Sequence, residues 1–80
     1  MESNLYDLDV ALTIVNHMFV ENCKKINIET DSEIKEELEK MNDIYLFEKN
    51  ALYKGGDIQA SIIDKAFRLY APIVKEYYAS

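Results

Sequence analysis

Asp57-Ile-Gln-Ala-Ser-Ile-Ile-Asp-Lys-Ala-Phe-Arg-Leu-Tyr-Ala-Pro-Ile-Val-Lys-Glu-Tyr-Tyr78 is the most apolar stretch of the chain and carries its one proline, Pro72. Projected at about 100° per residue, Ile58, Ile62, Ala66, Leu69, Ile73 and Tyr77 fall in one row. Ile63, Phe67, Tyr70, Val74 and Tyr78 continue that row around the cylinder. The two rows span roughly 220°, where a surface helix needs little more than about 100°. Ser61, Asp64, Lys65, Arg68, Pro72 and Lys75 fill the remaining wedge, and Asp64 and Arg68 form an i,i+4 pair. The pattern predicts a central helix over 58–78 with apolar surface to spare. Pro72 cannot donate to the Arg68 carbonyl, so a kink is expected there. A break near Tyr70–Ala71 is the weaker alternative, because Ala71 is a poor cap.

Outward from this stretch, Gly55-Gly56 marks a helix stop, and Asp57 reads as the next cap. Before the glycines, Thr30-Asp31-Ser32-Glu33 has the form of a capping box. It opens a helix over 31–54, with Ile34, Leu38, Met41, Tyr45 and Leu52 as core positions and Ile44, Phe47 and Ala51 on the adjoining flank. Glu37 and Glu48 project into that apolar arc and fit it badly. The first helix spans 5–26. Asn4 is its expected cap, and Leu5, Leu8, Leu12, Val15, Phe19, Cys23 and Ile26 form its stripe, with Ala11 and Met18 alongside. Three helices of about 30–36 Å with short links predict an all-α, up-down-up three-helix bundle in one domain, 1–80, its third helix kinked at Pro72.

The net charge of −6 is concentrated. Residues 29–48 hold eight acids and two lysines, while the acids and bases of the rest cancel. Glu33, Glu36, Glu39 and Asp43 form the exposed acidic face. Scattered lysines and a single arginine argue against direct nucleic-acid binding and against an anionic membrane surface. Apolar runs of three or four residues are too short to span a bilayer. The acidic N-terminus lacks a signal-peptide pattern. One cysteine, Cys23, allows no intramolecular disulfide and suits a reducing, cytoplasmic setting.

No catalytic, cofactor or metal signature emerges. His17 and Glu21 point away from the stripe that holds Cys23, so the three do not converge as metal ligands would. The acidic run lacks the spacing and the glycine of a calcium loop. Gly55-Gly56 lacks the strand and the Lys-Ser/Thr pair of a phosphate loop.

What remains is surplus apolar surface in three sets. Val10 and Ile14 lie off the first stripe, and Leu46 and Tyr53 lie on the far side of the second helix. Ile63, Phe67, Val74 and Tyr78 form the third helix's extra row. These eight are the expected partner-binding residues. The composite predicts a small acidic, non-enzymatic regulator or inhibitor acting by protein–protein binding on a partner with a basic surface. The low-arginine, Ile/Asn/Lys/Tyr-rich composition suits an AT-rich bacterial or phage genome. A structural homo-oligomer, such as a homodimer burying the extra row, is the alternative. A helix-turn-helix nucleic-acid-binding protein ranks third, since the second helix is long and acidic.

Overall fold

The computed structural model describes residues 5–79, with side chains from residue 7 onward. The cap expected at Asn4 lies outside the described residues. Those residues form a three-helix bundle of α1 (Leu5–Ile28), α2 (Ser32–Lys54), and a third helix made of α3 (Asp57–Lys65), a π-helical turn (Ala66–Tyr70) and α4 (Ala71–Ala79).

The helix ends follow local chemistry. Asp31, rather than Thr30, is the cap of α2: its Oδ1 accepts from the Glu33 N–H at 2.9 Å and the Ile34 N–H at 3.2 Å. Gly55 ends α2 at φ 83°, ψ −164°, and its N–H donates to the Ala51 carbonyl at 3.1 Å. Gly56 follows at φ 88°. Both lie in backbone regions that suit glycine and strain an L side chain. Gly56 occupies the position expected for an Asp57 cap, so Asp57 falls instead in the first turn of α3, where its charge suits the helix dipole.

The central helix is α1 and not the 57–78 stretch. α1 touches α2, α3, the π turn and α4, while the third helix leaves much of its own surface open. The reason is that α1 has two working faces. Leu8, Leu12 and Phe19, from the predicted stripe, pack toward the core with α2, and Asn22 and Cys23 meet α2 through hydrogen bonds. Val10 and Ile14, expected to be surplus surface, form the seat of the third helix together with Met18.

The core gathers Ala11, Ile14, Val15, Tyr45, Ala51, Leu52, Ile62, Ile63, Ala66 and Tyr70. All of its α2 members come from the second half of that helix. Ile34 and Met41, expected in the core, are exposed. The backbone of α4 runs beside α1 and does not approach α2, so among the described residues α1 alone neighbours the first half of α2.

The kink expected at Pro72 takes the form of the π turn just before it. The Ala71 N–H donates to Ala66 O, an i→i−5 bond. Pro72 has no N–H to offer Arg68 in an α-helical register, and a π turn accommodates that loss. The inserted residue also rotates α4 by about 100° relative to α3. Ile62 and Ala66 are therefore buried, while Leu69, Ile73 and Tyr77 of the same predicted row emerge on the surface.

The result is an open bundle. Its radius of gyration is 13.5 Å, against about 12 Å for a compact chain of this length. Its extents are 45 × 28 × 15 Å.

Candidate protein-binding surface

Polar side chains fix how the helices meet, and this determines which faces stay open. Glu48 is only 3% exposed. It accepts hydrogen bonds from Lys65 Nζ at 2.6 Å and from the Tyr70 hydroxyl at 2.8 Å. Both of its oxygens are thus used, and one buried carboxylate ties α2 to α3 and the π turn. A buried charge with two good partners contributes more to register than to net stability. Tyr45 lies edge-on to Tyr70 at 5.7 Å, and the Lys65 ammonium stands 5.3 Å from the Tyr70 ring. Burial, helped by the Glu48 carboxylate, pushes the Tyr70 hydroxyl up to about 12. The bond to Glu48 raises the Lys65 pKa. Burial likewise raises Tyr45.

A second network joins α1 to α2. Buried Asn22 donates to the Leu38 carbonyl at 2.7 Å and to Asn42 Oδ1 at 2.9 Å. Asn42 Nδ2 in turn approaches Cys23 Sγ at 3.2 Å. Cys23 is half-buried and accepts this contact. His17 is half-buried against Tyr77 and Tyr78, its ring centroid 4.9 Å and 5.5 Å from theirs. His17 and Cys23 therefore serve different helix seams. Glu21 accepts from Lys24 at 2.9 Å, a bond that lowers the Glu21 pKa and raises that of Lys24. Among the described residues, no group of three or more His, Cys, Asp and Glu side chains could hold a metal ion, and no helix is long and apolar enough to cross a membrane.

The eight expected contact residues divide. Val10, Ile14, Phe67 and Val74 line one seam between α1 and the third helix, with Ala71 and Lys75. Within it Ile14 is buried, and so is Ile63 elsewhere in the core, which removes both from the surface. Burial follows because the first-helix face once read as spare receives the third helix. Val10 and Val74 are half-buried against the core, and Phe67 is exposed. Tyr78 is exposed beside His17, whereas Leu46 and Tyr53 are exposed on α2, outside that seam. The acidic residues Glu33, Glu36, Glu39 and Asp43 are all exposed on the first half of α2.

Two open apolar features escaped the sequence pattern. One is the stripe of Leu69 in the π turn with Ile73 and Tyr77 of α4, missed because the π turn shifts the helical phase. The other is Ile34, Met41 and Ile44 on α2, the first two expected in the core and Ile44 on its flank, where α4 does not close over them. A cleft near them is lined by His17, Met18, Glu21, Asn22 and Lys25 of α1, Tyr45 of α2 and Ile73 and Tyr77 of α4. At about 170 Å³ it falls below the volume of a typical small-ligand pocket but suits inserted side chains. Comparisons with protein-family models, with curated proteins and with solved structures find no match to this chain.

Proposed function

We propose that the protein is a small acidic, non-enzymatic regulator or inhibitor that acts by binding another protein through a basic surface on that partner. One observation carries this reading. The α1–α2 hairpin tip lies beyond the cover of the third helix and combines acidic with apolar exposure. Glu33, Glu36 and Glu39 are exposed there, Ile34 is exposed on another face of the same helix, and Ile28 is 81% exposed. Such a tip suits a recognition element: its charge steers the encounter, and desolvation of the isoleucines supplies affinity. A cytoplasmic setting and a bacterial or phage source belong to the same proposal, resting on the lone cysteine and the composition.

The test is capture from the native host with tagged wild type and with a Glu33→Lys/Glu36→Lys/Glu39→Lys variant, partners being identified by mass spectrometry. Their association rates are then followed against salt. The reading expects a partner lost by the charge-reversed variant and a rate that falls steeply as salt rises. Equal capture by both proteins, with a salt-independent rate, would rule it out.

A further inference from the structure

We propose that a second copy of this chain docks in the cleft between α4 and the first half of α2, the two α4 helices packing antiparallel across a twofold axis near Ile73. The first argument is area. The accessible surface is 5792 Å², while a compact monomer of 9.3 kDa exposes about 5,000 Å². The excess, roughly 800 Å², matches one partner's share of a standard protein–protein interface.

The second argument is that the molecule holds both halves of the contact. Met41 lies one turn before Tyr45, and Ile44 one turn before Glu48, so both face the opening that α4 leaves beside α2. Across it, Leu69, Ile73 and Tyr77 recur at four-residue spacing and are about half exposed. This four-residue spacing places the three on one side of the helix, as anchors that enter a groove must be. A twofold arrangement sets the stripe of each copy in the cleft of the other, covering both surfaces at once, as isologous interfaces do.

Charge permits the arrangement. The carboxylates of Glu36, Glu39 and Asp43 point roughly 150° around α2 from Met41, away from the cleft. The like charges of Glu36, Glu39 and Asp43 thus stay on outer faces, where solvent screens them, while Glu37, about 40° from Met41, borders the cleft paired with Lys40 at 3.6 Å. The hairpin tip remains uncovered, so the inference is independent of the partner-binding proposal.

The experiment is light scattering of the full chain at about 50–100 µM, on wild type, Ile73→Glu, Met41→Glu and Tyr53→Glu. Circular dichroism checks helicity. The expected result is twice the chain mass for wild type and for Tyr53→Glu, whose site is 71% exposed on another face of α2. Ile73→Glu and Met41→Glu are expected to be monomeric with helicity retained. A monomeric wild type overturns the inference, as does a dimer that survives both cleft variants. Unfolding of both cleft variants also contradicts it, because these open positions tolerate charge in a free monomer. Glu36→Lys at the tip is expected to leave the mass unchanged, which separates this test from that of the partner.

Discussion

The two halves of α2 have similar apolar patterns and opposite fates. Tyr45, Glu48, Ala51 and Leu52 are all buried, Glu48 with two hydrogen-bond partners. Ile34, Met41 and Ile44 recur at helical spacing just as regularly, yet all three are exposed. What differs is the neighbour. The second half lies between α1 and the third helix, and the first half meets α1 alone. An apolar stripe therefore records where a helix can be covered, and topology decides where it is covered. Here the deciding feature is the third helix, tied to α2 at Glu48 and then turned toward α1 beyond the π turn.

The difference is open to direct attack, beginning with the largest effect. Leu52→Ala is expected to cost about 3–4 kcal/mol in urea unfolding, because it empties a fully buried site. Glu48→Ala is expected to cost about 3 kcal/mol, since it strands the Tyr70 hydroxyl and the Lys65 ammonium at a helix junction. Gly55→Ala, which forces a side chain to φ 83°, is expected to cost about 1–2 kcal/mol by the same measurement. Met41→Ala, on the same helix as Leu52, is expected to cost less than about 1 kcal/mol. A Met41 effect as large as that of Leu52 would erase the distinction between the two halves.

Alkali sharpens the same contrast. Tyr70 and Lys65 both have folded-state pKa values raised above their unfolded ones. The folded chain then holds protons that the unfolded chain has released. Their contribution is complete below about pH 10 and is lost as pH climbs toward 12. Thermal melts at pH 9 and pH 11.5 are expected to show a clear fall in wild type. Tyr70→Phe is expected to show a smaller fall, because the strongest shift is gone.

Much of this was legible in the sequence. Gly55-Gly56, the acidic start of α2 and the 3.6-residue periodicity define three helices and their order, because each is a local signal. Glu48 was visible as an acid in an apolar arc, but its partners lie 17 and 22 residues away. No local pattern pairs such residues. Asn22 was equally legible in principle: it follows Ala11, Val15 and Met18 on one helical face, the phase of a buried position. Phe67 and Tyr78 of the row read as spare are exposed, but the exposure of Leu69, Ile73 and Tyr77 was missed for a definite reason. A wheel drawn at constant pitch carries Ile62 and Ala66 straight on to Ile73 and Tyr77, while the π turn before Pro72 breaks that phase. The face assigned to Val10 and Ile14 failed differently, since a central helix needs two apolar faces and only one had been allotted to α1.

Residue-resolved amide hydrogen exchange at two protein concentrations tests the central claim most directly. In dilute solution, amides of residues 46–52 are expected to be strongly protected and those of 34–44 to exchange much faster. At high concentration, protection is expected to rise over 37–44 and 69–77, leaving the hairpin tip at 28–34 unchanged. Uniform protection along the whole of α2 in the dilute sample would contradict the account.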